Sequence, residues 1–265
     1  MLVDSHCHLD YPELGGDLAA TLDRAEAAGV GRVVTISTHV ARFDTYRTLA
    51  ESDPRVFFSV GTHPHNAHEE PDVPAARLGE LSRHPRCIAI GEAGLDYHYD
   101  RSPRDVQRWV FRTHIAAARE TRLPLVIHAR EADDDMIAIL SEEMAAGPFP
   151  AVLHCFSSGP RLAEIGVALG LYVSFSGIVT FKRSTELRDI AARVPRERLL
   201  VETDAPYLAP EPYRGRPNEP AYTALTAARL AEAVGLTSQE LARVTTTNFY
   251  RLFTKAAALD GEGAA

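Results

Sequence analysis

Two histidines one residue apart, His6 and His8, close a short apolar run, Leu2-Val3-Asp4-Ser5-His6-Cys7-His8. Side chains two apart on an extended backbone project to the same side, so both imidazoles can face one point. Histidine is the commonest metal-ligating side chain, and the pair reads as part of a metal site. The ordinary alternative is a pair of surface histidines. Residues of the same kind recur where four later apolar runs stop. Glu92 follows the run 87–90, His128 follows 125–127, His154 follows 151–153, and Glu202-Thr203-Asp204 follows 199–201.

Together His6, His8, Glu92, His128, His154 and Asp204 make six candidate ligands. One tetrahedral zinc normally takes four, whereas two divalent ions sharing a carboxylate use six naturally. Glu92 is the best candidate for the shared group. Imidazole with carboxylate suits zinc or manganese, and magnesium prefers oxygen, so the ions are expected to be zinc, manganese or magnesium. Asp204 is expected to bind one ion and accept a proton from metal-bound water, whose pKa zinc can lower to about 7. Glu202 should point the same way as Asp204, either orienting a ligand or forming an ion pair inside the fold.

Around this set lie candidate substrate contacts. His63, in Gly61-Thr62-His63-Pro64-His65, is expected to touch a phosphate or the leaving oxygen; its alternative is a capping or core histidine. His65 and His68 have the weaker claim, further out in a polar loop. Arg130, two past His128, can grip a phosphate with two parallel hydrogen bonds, or else pair with Glu131. Tyr97, Phe156 and Tyr207 border the same ends and could stack on bases, at about 1–3 kcal/mol per base, or simply pack. Cys155 should face away from His154. Arg214 lies in a proline-rich stretch, 205–221, whose length and position after the last strand favour function.

The elements that must position these groups alternate along the chain. Strands are expected at 2–4, 32–36, 56–60, 87–90, 125–127, 151–153, 171–175 and 199–201. Amphipathic helices are expected at 17–28, 75–83, 102–121, 133–144, 160–169 and 185–193, with Ser102 as a possible cap before Pro103. Two more close the chain, the second entered through the capping box Thr237-Ser238-Gln239-Glu240. Eight strand–helix units in 265 residues predict a single-domain α/β fold, a (β/α)8 TIM barrel over 1–257. A flexible tail is expected over 258–265. All the candidate ligands then fall on the C-terminal rim, where barrel enzymes keep their chemistry. No Gly-x-Gly-x-x-Gly fingerprint follows the first strand, which weighs against dinucleotide binding.

Composition narrows the function further. The net charge is -8, and Lys182 and Lys255 are the only lysines, which argues against a duplex-coating protein. An enzyme that grips a few phosphates through arginine and metal stays open. Cys7, Cys87 and Cys155 show no disulfide-framework spacing. No apolar run approaches the length of a membrane span, and the start lacks a signal-peptide pattern. A cytoplasmic protein without membrane attachment or an evident obligate protein partner is expected.

With these motifs assembled, the chain resembles the TatD family of metal-dependent hydrolases, from end to end. The carrying signatures are Asp4-Ser5-His6-Cys7-His8, Gly61-Thr62-His63-Pro64, Gly91-Glu92-Ala93-Gly94-Leu95-Asp96, His128-Ala129-Arg130, His154-Cys155-Phe156 and Glu202-Thr203-Asp204-Ala205-Pro206. Arg214-Gly215-Arg216-Pro217-Asn218-Glu219-Pro220 and Asn248-Phe249-Tyr250-Arg251-Leu252-Phe253 also resemble family pieces. The resemblance implies a divalent-metal-dependent deoxyribonuclease trimming single-stranded or frayed DNA from the 3′ end, with RNA or tRNA as other nucleic-acid partners. It places two metal ions on His6, His8, Glu92, His128, His154 and Asp204. A related branch resembles D-aminoacyl-tRNA deacylases, so hydrolysis of an ester or amide is the alternative. A barrel that binds without turnover is a third reading, disfavoured by the complete ligand set.

Overall fold

The computed structural model describes residues 1–261. Eight strands lie parallel in the order of the chain: β1 Leu2–Cys7, β2 Val30–Thr35, β3 Val56–Val60, β4 Cys87–Asp96, β5 Leu125–Arg130, β6 Ala151–Leu153, β7 Tyr172–Phe175 and β8 Leu199–Val201. A parallel bridge between Cys7 and Ala205 joins the last strand to the first, so the sheet closes into the expected (β/α)8 barrel. Outside it run α1 Pro12–Gly15, α2 Leu18–Ala27, α3 Phe43–Ser52, α4 Ala75–Leu81, α5 Arg104–Thr121, α6 Asp133–Ala146, α7 Pro160–Ala168, α8 Thr185–Arg193, α9 Thr223–Ala233, α10 Ser238–Leu252 and α11 Thr254–Asp260.

Each strand buries both faces, as a parallel sheet wrapped in helices must. The outward faces pack on the helices in one large apolar cluster that includes Leu22, Phe58, Leu78 and Phe111. A second cluster takes Val3, Val34, Phe57, Ile88, Val126, Val152, Tyr172 and Leu200, one from each strand, and adds Phe249, Phe253 and Ala256. Residues of α10 and α11 thus fill the barrel at the end opposite the candidate ligands. The polar groups that end the strands are left to face the other rim.

Several expectations change. Strand β4 runs on through Asp96, because its later residues pair with β5 from Ala93↔Ile127 to Asp96↔Arg130. Glu92, His128 and Arg130 therefore lie within strands rather than after them. Gly94 permits that pairing: a Cβ there would sit 2.0 Å from the His128 carbonyl oxygen. Helix α5 begins at Arg104, and the Ser102 hydroxyl donates to the His65 carbonyl at 2.9 Å instead of capping it. Among the described residues three helices close the chain, not two. The third, α11, extends to Asp260, whose carboxylate meets Arg32 at 2.8 Å and Tyr250 at 2.7 Å. The expected tail therefore does not begin at 258, and residues 262–265 lie outside those described. The capping box of α10 forms as expected, with Thr237 and Glu240 bonding each other's backbone N–H.

Candidate active site

The C-terminal rim gathers side chains from β1, β4, β5 and from the segments after β3, β6 and β8. Glu92 stands at the middle, 2 % exposed. Its Oε1 lies 2.7 Å from His154 Nε2, 2.9 Å from His128 Nδ1 and 3.5 Å from His63 Nε2. Its Oε2 lies 3.4 Å from His6 Nε2. Asp204 Oδ1 lies 3.4 Å from His8 Nε2 and 3.6 Å from His6 Nε2. All six predicted ligands thus meet in one cluster.

The backbone is bent to allow this. Asp204 takes a left-handed conformation, φ +59°, at the end of β8. Non-glycine residues seldom occupy that region, and they concentrate where surrounding structure holds them, often at functional sites. The Asp204 N–H donates to the His6 carbonyl at 2.9 Å, which ties the two ligand-bearing segments together. Asp4 adds a second tie: it accepts from the Thr203 N–H at 2.9 Å and the Thr203 hydroxyl at 2.5 Å. Burial pushes the Asp4 carboxyl up to about 8.

Electrostatics mark the cluster as a cation site. Burial works against ionised Glu92, yet His154, His63 and His6 outweigh it and hold the carboxyl well below its ordinary range. Burial likewise disfavours a charged His154, but Glu92 and Glu202 overcome it and raise the ring well above normal. Buried carboxylates here need positive charge, and a proton on imidazole competes with a metal ion for that place. His6 supplies the fit test. It is fully buried, and among the described residues neither ring nitrogen has a hydrogen-bond partner. Orphaned buried donors and acceptors are costly, and a metal ion would satisfy one of these nitrogens. Three overlapping groups bring ligand atoms within 4.8 Å of one another: His6, His8 and Glu92; His63, Glu92 and His128; His6, His154 and Glu202. The donor set fits divalent metal.

Glu202 behaves as an orienting residue. Its Oε1 accepts from the Cys155 N–H at 2.8 Å and lies 3.2 Å from His154 Nδ1, leaving His154 Nε2 turned to Glu92. Carboxylate–imidazole pairs of this kind fix the ring and raise its basicity toward a metal.

Sequence reasoning missed Asp96 and underrated His65. Asp96 Oδ2 accepts from His65 Nε2 at 2.9 Å and lies 3.2 Å from His128 Nε2. The His65 ring packs on His63 with centroids 4.4 Å apart. The available signal was parity: within an extended β4, Glu92, Gly94 and Asp96 share one face. His68 stays outside, bonded to Ser102 at 2.7 Å.

The expected substrate contacts divide. Tyr207 is half-exposed, its hydroxyl donating to Tyr11 at 2.6 Å, with both rings edge-on to His8. Tyr97 lies beside Arg104, and its hydroxyl donates to Asp135 at 2.6 Å. Phe156 is corrected: it is 3 % exposed and packs on Phe175, so no base can stack on it. The cause is Cys155, whose φ of +42° turns the chain and breaks the alternation that would carry Phe156 beside His154. Cys155 itself contacts the Ser176 hydroxyl at 3.1 Å. Arg214 is exposed and lies over the Phe181 ring at 4.1 Å, with no contact to the ligand cluster. Arg130 does not pair with Glu131; its guanidinium lies over the Tyr99 ring at 4.8 Å.

A closed eight-stranded barrel with histidines and carboxylates converging on its C-terminal rim defines a metal-dependent hydrolase. The sequence profile of the TatD related DNase family matches residues 3–254. The Bacillus subtilis protein named uncharacterized metal-dependent hydrolase YabD is 39 % identical over 253 residues, covering 96 % of this chain and 99 % of its own. The Escherichia coli K12 hydrolase YcfH, named in the same way, is 43 % identical over 255 residues, covering 95 % of each chain. Among solved structures, the E. coli TatD homolog YJJV superposes with a TM-score of 0.89 at 32 % identity, covering 96 % of this chain and 98 % of its own. The chain belongs to the TatD family of metal-dependent hydrolases.

Proposed function

We propose that this protein hydrolyses phosphodiester linkages of DNA, trimming single-stranded or frayed ends from the 3′ side, with two divalent ions at its rim. The observation that carries the reading is the division of Glu92: one oxygen faces His6, the other faces His63, His128 and His154. A carboxylate with separate imidazole sets on its two oxygens suits a group shared between two cations. His6, His8 and Asp204 would hold one ion with Glu92, and His128 and His154 the other. Bound there, divalent ions neutralise developing phosphoryl charge and make water easier to deprotonate.

The protein's own groups do the rest. Asp204, ionised and beside His8, accepts a proton on its carboxylate. His63 sits 3.5 Å from Glu92 and is positioned to hold the leaving oxygen or a phosphate oxygen. Tyr11 and Tyr207 offer an aromatic wall at the His8 side of the mouth, on which a terminal base can rest. The family's DNase description supports the choice of substrate.

The test is degradation of a 3′-labelled oligonucleotide by chelator-treated protein, with and without added zinc, manganese or magnesium. Cleavage only with metal, and loss of about 10²–10⁴-fold in Asp204→Asn with folding intact, are expected. Full activity in that variant removes Asp204 from the mechanism. Aminoacyl esters assayed beside the oligonucleotide provide the discriminating control: turnover of those alone replaces the nuclease reading with ester hydrolysis.

A further inference from the structure

Beside the ligand cluster, between the end of β5 and the segment after β6, lies a cavity of about 770 Å³. Arg130, Arg104 and Tyr97 form part of one wall, and Ser157 and Ser158 part of another. None of the six metal-ligand candidates lines it. The cavity is a neighbouring space, distinct from the position of the bond that is cleaved.

Four carboxylates also border this cavity, and each is engaged within the protein. Asp135 accepts from Tyr97 and Arg108, at 2.6 and 3.1 Å. Asp134 meets Arg161 at 2.9 Å, and Glu131 meets His98 at 2.7 Å. Asp133 accepts the Gly159 N–H at 3.0 Å and opens α6, where the helix dipole favours a negative charge. Arg104 is engaged as well, at 2.6 Å from Asp100. Arg130 differs. Among the described residues its guanidinium makes no hydrogen bond and no ion pair, and only the face of Tyr99 holds it. Tyr99 is fixed in turn, its N–H donating to Asp96 Oδ1 at 2.8 Å while the other Asp96 oxygen meets His128 and His65. A free guanidinium is thus anchored through one short chain to a ligand of the metal centre. The Ser157 and Ser158 hydroxyls, likewise without partners among the described residues, line the same cavity.

We propose that this cavity is a subsite for the phosphate adjoining the one cleaved, bound by Arg130 with Ser157 and Ser158. A planar fork of N–H donors matches two phosphate oxygens, and hydroxyls complete the shell. The substrate class that follows is a strand carrying at least two consecutive phosphates, in preference to an isolated phosphodiester. This inference rests on the phosphodiesterase reading above.

The experiment compares a thymidine trinucleotide with the same molecule carrying an uncharged methylphosphonate at the linkage next to the cleaved one. Wild-type kcat/KM is expected to fall about tenfold on that neutralisation, and that of Arg130→Ala less than about twofold, because the partner of the lost charge is already gone. Arg130→Lys, which keeps the charge but not the fork, should lie between. An equal fractional loss in wild type and Arg130→Ala overturns the subsite. A second readout needs no turnover: in chelator, the slope of log affinity for an oligonucleotide against log salt should become shallower by about 0.7 in Arg130→Ala, the loss of one single-strand phosphate contact. An unchanged slope also overturns it. Wild type cleaving both trinucleotides equally defeats the subsite alone, while failure to cleave either defeats the phosphodiesterase reading and the subsite with it.

Discussion

His154 lies flat against His6, with ring centroids 3.8 Å apart and planes 7° from parallel. The rings come from β1 and from the segment after β6, and both turn a nitrogen toward Glu92. Two protonated imidazoles cannot be held that close without repulsion. In keeping with this, burial and the neighbouring His154 both hold the His6 ring below its ordinary pKa. Two rings that cannot both be charged fit a site where a metal ion takes the place of protons.

Metal should therefore stabilise the fold. A ligand at a hundred times its Kd contributes about 2.7 kcal/mol, and for a domain of this size about 1 kcal/mol corresponds to roughly 2–4 °C. Chelation followed by manganese or zinc titration should raise Tm by about 5–10 °C in wild type. Glu92→Gln, which loses the central charge, should show little of that shift in the same scanning experiment.

Glu202 holds His154 without facing its metal-directed nitrogen. Glu202→Gln keeps the volume but weakens the tie to His154 Nδ1. A loss of about 10–100-fold in metal affinity or activity is expected, with thermal stability of the metal-free protein changed far less. Isothermal titration with manganese checks it.

The stretch after β8 is pinned by Asn218, which is fully buried. Its side-chain amide donates to the carbonyl of Thr203 at 2.9 Å and to that of Tyr207 at 2.6 Å, on either side of Asp204. Asn218→Ala takes this donor from the buried Thr203 carbonyl, at about 1–3 kcal/mol, and from the part-buried Tyr207 carbonyl, at less. Denaturant unfolding should reveal that loss, and the loosened Asp204 and Tyr207 should lower kcat as well as raise KM.

His114 on α5 predicts a pH limb of stability from a histidine that backs the rim segment carrying Thr62 and His63. Its Nε2 accepts the Thr62 N–H at 3.0 Å, and burial lowers its pKa to about 4, from an ordinary 6.5. Because the folded value is the lower, the unfolded chain takes up the proton first. Stability from this group is intact above about pH 6.5, declines as pH falls to about 4, and then levels, a total of about 3 kcal/mol. Urea midpoints across this range should show the decline in wild type. His114→Gln should remove that part of the slope, and an identical slope in the variant assigns the limb to other groups.

Much of this protein was legible in its sequence because the relevant signals are local. Apolar runs at regular spacing determine eight strands, and the residues that interrupt them, His6, His8, His128, His154 and Asp204, are polar where a barrel opens to its rim. Tertiary structure alone decided the reach of β4, since Gly-Glu-Ala-Gly carries no strand propensity and pairing with β5 resumes only at Ala93. It also decided that Asp96 and His65 join the centre, that Phe156 turns inward after Cys155, and that α11 helps to close the barrel floor. Those outcomes depend on long-range pairing and on single backbone angles such as the φ of +42° at Cys155. Local composition leaves both undetermined, because the energy that selects them comes from residues far away in the chain.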